Sequence, residues 1–325
     1  MIEFVFAPDD VARVRFAFSP MWEVVHGLRV LADPSRSALH LPWVRRVRPR
    51  LHGLDIGLLK ELVPAEGYVP DFLTPPPATP LPDFAAELDI VRATPPSTVA
   101  EEIAFAGPGE EAGPRRRALA AEPERTLERL VDQVERFWTL AVEPYWEPIH
   151  DLLEGDVLRR ARALATRGAE GVFADLHRGV VWRSDTLVVD RPWSFRGELR
   201  GRGLLLVPSA FLWPRVSVMV PPYQPMLSYP PLGVATLWET RPATPPDALA
   251  ALVGRRRAQV LAALEVPEST TGLARRLGVT AGAVSQHLGV LRACGLVTGH
   301  RVGRRVLYAR TGAGDMLVAA GDPGA

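Results

Sequence analysis

The strongest constraint on this chain is one ordered stretch, residues 255–310, which reads RRRAQVLAALEVPESTTGLARRLGVTAGAVSQHLGVLRACGLVTGHRVGRRVLYAR. It divides into five pieces. Residues 255–264 form a helix with Val260, Leu261 and Leu264 on its apolar side. Ser269 or Thr270 caps a second helix carrying Leu273, Ala274 and Leu277, and Gly278 ends it in a left-handed conformation. Val279 and Thr280 make a tight turn. Thr280 caps a third helix that runs to about Ala293 and closes at Gly295. Residues 296–300 and 306–309 are two short β-runs joined by a tip with basic residues. Helix, short turn, helix and basic hairpin is the order of a winged helix-turn-helix.

The third helix has the design of a groove reader. Val284, Leu288 and Leu291 recur at helical spacing and face the core. Ala281, Ser285, Gln286, Gly289 and Arg292 then face outward. The major groove of B-DNA admits one helix, and small residues at Ala281, Gly282 and Gly289 let the backbone approach. Ser285 and Gln286 reach base edges, and the Gln amide suits adenine. Amides near Thr280 suit a phosphate. His287 reads equally as a phosphate contact or a buried, hydrogen-bonded histidine. Arg301, Arg304 and Arg305 lie along the backbone or a neighbouring minor groove.

Charge supports this placement. Residues 250–312 hold ten Arg and two Glu, a net +8, whereas residues 1–249 carry a net −5. Whole-chain charge is only +1, so the positive field is local. Lys60 is the one lysine, and the remaining basic side chains, all Arg, run the length of the chain.

SQHLGVLRACGLV at 285–297, followed by the GRRVLYA hairpin, strongly resembles the ArsR/SmtB family of winged helix-turn-helix repressors. The resemblance covers about the last 75 residues. The long segment before it is similar to the N-terminal extension of a subgroup of actinobacterial ArsR-like regulators. The resemblance implies a transcriptional repressor that binds double-stranded DNA as a homodimer in the cytoplasm. Metal sensors of the family place thiolates at the start of the second helix, here STTGLAR at 269–275. Other members use acid–His pairs on the closing helix, here GAGDMLVAA at 312–320. Neither position offers the four N, S or O ligands that zinc needs. The expectation is therefore no metal and no cofactor, with a small organic molecule or a protein as effector.

The rest of the chain predicts an α+β fold: a mixed N-terminal domain over 1–240, then the winged domain over 247–320, with TRPATPPD at 240–247 as the joint. Residues 2–6 read as a strand. Asp9 or Asp10 caps a helix through Phe16. Ser19-Pro20 starts a helix that carries Trp22, Val25, Leu28 and Leu31 on one face. Residues 123–140 form another. GPGEEAGPRRR at 107–117 reads as an exposed loop. From Val180 onward, short β-rich runs broken by Gly, Pro and Asp read as an antiparallel sheet. Trp138, Tyr145, Trp146, Trp213 and Tyr223 are candidates for a ligand pocket, although aromatics in such a domain more often pack in the core.

An enzyme with a docking winged helix is the rival reading. It finds no support in G-x-S-x-G, H-E-x-x-H or phosphate-loop patterns. Cys294 stands alone, which excludes an intramolecular disulfide and fits a reducing compartment. The longest apolar run, residues 204–213, is broken by Pro208 and Ser209 and does not span a membrane.

Overall fold

The computed structural model describes residues 1–107, 109–238, 247–302 and 305–320. The chain is mixed α+β and divides into two compact units. The first comprises Met1–Trp146 and Ala169–Pro230, the second Glu147–Gly168 and the described residues of Pro231–Ala325. Residues 240–246 of the expected joint lie outside the described residues, and Glu147–Gly168 groups with the C-terminal residues.

The first unit holds two four-stranded sheets. One has the order Val180–Arg183, Thr186–Val189, Ile2–Val5, Phe195–Glu198. Ile2–Val5 runs antiparallel to Thr186–Val189 and parallel to Phe195–Glu198. The other has the order Arg15–Phe16, Leu205–Pro208, Met226–Tyr229, Ser217–Met219, in which only the last pair is antiparallel. The expected antiparallel sheet is thus two mixed sheets. Leu205–Pro208 and Met226–Tyr229 are buried at every residue, and an unbroken apolar run is the pattern of a strand covered on both faces. Ser228 fits there because its hydroxyl donates to the carbonyl of Val207 at 2.8 Å.

Pro20–Ala32 is a helix with Ser19 as its cap, the side chain accepting from the Trp22 amide at 3.2 Å. Trp22, Val25 and Leu28 on it are buried. Two buried carboxylates tie this helix to its surroundings. Glu87 accepts from the Ser19 hydroxyl and the Met21 amide, and Glu23 accepts from the amides of Ala210 and Phe211. Burial pushes Glu23 up to about 7 and Glu87 up to about 8.

Four local expectations change. The helix expected through Phe16 stops early, as Pro8–Ala12, and Arg15–Phe16 becomes an edge strand beside Leu205 and Leu206. Asp10 does not cap that helix but lies inside it, where it accepts from the Ala7 and Gly203 amides. The 107–117 stretch is not all loop, since Pro114 opens a helix, Pro114–Ala120. The helix expected over 123–140 is α-helical only over Pro123–Phe137 and widens into a π-turn at Trp138–Val142.

Candidate nucleic-acid interface

The second unit is built around the helices Arg255–Ala263, Thr270–Leu277 and Ala281–Ala293 and a three-stranded sheet. Its core includes Leu249, Val260, Leu261, Leu273, Leu277, Val284, Leu288, Leu291 and Val297. Ser269 is the residue that caps Thr270–Leu277, accepting from the Gly272 amide at 3.0 Å. Gly278 ends the helix at φ +66°, a left-handed conformation that favours glycine. Thr280 caps Ala281–Ala293, accepting from the Ala283 amide at 3.3 Å. The strand Val297–Val302 pairs antiparallel with Arg305–Arg310, which pairs in turn with Glu268–Ser269. This is the hairpin of a winged helix-turn-helix. The helix Gly312–Ala320 closes the unit.

The Ala281–Ala293 helix separates its two faces as its spacing requires. Val284 and Leu288 are fully buried and Leu291 nearly so. Thr280, Ala281, Gly282, Ser285, Gln286, Gly289 and Arg292 are exposed. A Cβ added at Gly282 or Gly289 would meet nothing within 4 Å, so both glycines open the helix surface to an approaching surface. His287 is half-buried. Arg301 is exposed at the end of the hairpin. Arg304 and the side chain of Arg305 lie outside the described residues. The structure therefore brings Ser285, Gln286 and Arg292 onto one exposed helix face.

The aromatic candidates separate. Trp138 stacks on Phe84 with ring centres 4.4 Å apart and meets Trp146 edge-on at 5.4 Å. Tyr145 follows in the chain and is half-buried. Tyr223 instead packs beside Trp22 and Met226, and its hydroxyl donates to Glu102. The Trp213 carbonyl accepts from the Ser37 hydroxyl.

Sequence reasoning missed what Glu147–Gly168 contributes. Gly155 lies against the backbone of Pro267, where an added Cβ would meet the Pro267 carbonyl oxygen at 2.6 Å. Asp156 forms a buried ion pair with Arg160 at 2.8 Å and accepts from the Leu232 amide at 3.0 Å. Arg162 contacts the His300 ring on the first strand of the hairpin. Burial and Arg162 hold the His300 imidazole below its usual range. The side chains of His150, Asp151 and Glu154 place ligand-type atoms within 4.8 Å of one another. Glu268 lies close by, and burial, reinforced by Asp151, pushes its carboxyl up to about 7. Only the i, i+1, i+4 spacing of His150, Asp151 and Glu154 was visible in advance, and that spacing is common on solvated helix faces.

No helix among the described residues is long and apolar enough to cross a membrane. No curated protein and no solved structure matches the chain. Residues 255–298 match the family model described as bacterial regulatory protein, arsR family. The matched residues run from the first of the three helices to the first strand of the hairpin. They are an arsR-type helix-turn-helix, and the match supports a DNA-binding transcriptional regulator.

Proposed function

We propose that the chain is a cytoplasmic transcriptional repressor that binds operator DNA as a homodimer and carries no catalytic activity. The observation that carries this reading is the exposed face of Ala281–Ala293, where Ser285, Gln286 and Arg292 flank the open surface at Gly282 and Gly289. That face sits in the segment of net charge +8. Ser285 and Gln286 read base edges in the major groove, and the amides behind Thr280 receive a phosphate. Arg301, Arg304 and Arg305 run along the backbone. The dimer reading is supported by apolar side chains in solvent on two helices: Leu252 on Asp247–Val253 is 70 % exposed and Met316 on Gly312–Ala320 is 69 % exposed.

The signal it answers to is a small organic molecule or a protein, not a metal ion. Supporting this, the two positions where metal-sensing relatives keep their ligands read STTGLAR and GAGDMLVAA here. The long N-terminal segment, similar to the extension of actinobacterial ArsR-like regulators, receives the signal.

The test is DNA binding by the full chain on sites recovered by genome-wide capture of bound DNA. A dimer that neutralises about 6–10 phosphates loses about 10³–10⁵ in affinity between about 50 and 200 mM salt. Binding to DNA that ignores salt, or no binding at all, overturns the reading.

A further inference from the structure

The first unit contains a cavity of about 330 Å³, lined among others by His26, Arg29, Glu66, Arg191, Phe211 and Arg215. That volume lies at the small end of ligand pockets. Its wall is unusual in charge, since three guanidinium groups line it. Arg29 is held down to about 10 by burial and by the charges of Arg215 and Arg191. Burial and Arg215 lower Arg191. Burial and Arg36 lower Arg215. His26 lies well below its usual range, through burial and then the charges of Arg29 and Arg215, so it is neutral and adds no charge.

This charge is offset only in part, by Asp190 acting on Arg191 and by Asp33 acting on Arg215. Glu66 is the one carboxylate of the lining, and it is exposed and ion-paired with Arg36. Arg29 donates to the carbonyls of Pro64 and Gly67, and Arg215 donates to the carbonyl of Ala65 at 3.4 Å. Carbonyls orient a guanidinium without cancelling its charge. Nε of Arg191 is buried and has no hydrogen-bond partner among the described residues. A buried donor without a partner is costly, and a ligand that accepts from it relieves that cost. Crowding three partly buried like charges into one wall adds to that cost.

We propose that this cavity binds a small anion bearing a carboxylate or phosphate group. A guanidinium presents its donors as a planar fork that matches two oxygens of either group, so the bond made is directional as well as charge-assisted. The free donor of Arg191 and the charges of Arg29 and Arg215 receive the anionic head. Phe211 and Leu212 give the wall an apolar side for a carbon skeleton. His26 is fixed by its hydrogen bond to Ser209 at 2.8 Å, which holds that wall in place. As the place where the regulator receives its signal, the site rests on the reading of the chain as a transcription factor. As an anion site it stands without it.

The test is thermal unfolding of the full chain with inorganic phosphate or citrate, against sodium chloride at matched ionic strength. Phosphate alone acting assigns a phosphoryl head, and citrate alone a carboxylate. In either case the wild type is stabilised, and Arg191→Gln raises the half-saturating concentration about tenfold or more. Without anion, Arg191→Gln melts no lower than wild type, because it removes a like charge from the wall. A structural arginine would behave in the opposite way. Arg215→Gln repeats the measurement if Arg191→Gln does not fold. Neither anion stabilising beyond chloride overturns the site, as does an unchanged response in the folded variants. DNA binding is measured on the same samples. Its absence removes the regulator reading alone, because the unfolding measurement still decides the anion site.

Discussion

The Ser269 hydroxyl donates to Oδ2 of Asp151 at 2.6 Å, and Oγ of Ser269 itself accepts from the Gly272 amide at 3.0 Å. One side chain therefore caps the first helix of the helix-turn-helix and anchors it to Glu147–Gly168. Loss of a cap costs about 0.5–2 kcal/mol, and loss of a hydrogen bond to a buried charge about 1.5–3 kcal/mol. Ser269→Ala is expected to lower the stability of the C-terminal unit by about 2–3 kcal/mol, read by hydrogen exchange at the Gly272 amide. Ser269→Asp is expected to be worse than Ser269→Ala, because its carboxylate would face Asp151 and Glu268. On an isolated helix Asp is the better cap. An aspartate variant more stable than the alanine one would show that the Asp151 contact carries no weight.

Gln286 is exposed on the outer face of Ala281–Ala293. Gln286→Ala is expected to cost about 1–3 kcal/mol on the cognate operator and little on random DNA. Arg301→Ala is expected to weaken both by similar factors, because phosphates carry no sequence. Competition binding with operator and scrambled duplexes reads the difference. Equal losses for Gln286→Ala on both duplexes would place another face of the helix in the groove.

Glu268 titrates near 7 in the folded chain, against 4.5 for an ordinary glutamate. The sign follows from linkage. The folded state holds the proton more tightly, so the contribution is complete below about 4.5 and is lost as pH rises through about 7. The span is on the order of 3 kcal/mol. Glu268→Gln stays neutral and is expected to keep its stability between pH 5 and 8, about these limits, while the wild type declines relative to it. The readout is this difference, because Glu23 and Glu87 impose the same sign of slope on the first unit in both proteins. Parallel pH profiles would show that Glu268 is ionised throughout.

Zinc at micromolar levels is expected to leave the full chain on its operator. The arrangement that puts this at risk is His150, Asp151 and Glu154, since His and carboxylates together suit zinc. Zinc-dependent release that a chelator reverses, and that His150→Ala abolishes, would make this cluster a sensor and overturn the non-metal reading.

The helix-turn-helix was legible because its signals are local. Thr280 and Ser269 cap helices that begin one residue later, Gly278 supplies a left-handed turn, and the Val284, Leu288, Leu291 spacing decides which face is buried. The sheets of the first unit were less legible. Whether Leu205–Pro208 pairs parallel or antiparallel depends on partners at Arg15–Phe16 and Met226–Tyr229, which no periodicity within the strand encodes. The cavity arginines were hidden for the same reason. Arg29, Arg191 and Arg215 are far apart in sequence and converge only through the fold.

The membership of Glu147–Gly168 in the C-terminal unit bears on how the molecule is made. A ribosome delivers this segment, part of the helix Trp146–Phe173, before residues 169–230, which belong to the first unit, and well before Val266, Pro267 and Ser269 against which it packs. The nascent helix must therefore wait, with Gly155 and the Asp151 carboxylate uncovered, while the other unit is completed. The helix-turn-helix that follows is born without its anchor at hand in sequence. A gene fragment opening at Asp247 would encode the arsR-type segment complete, yet would leave Ser269 and the Pro267 backbone facing water.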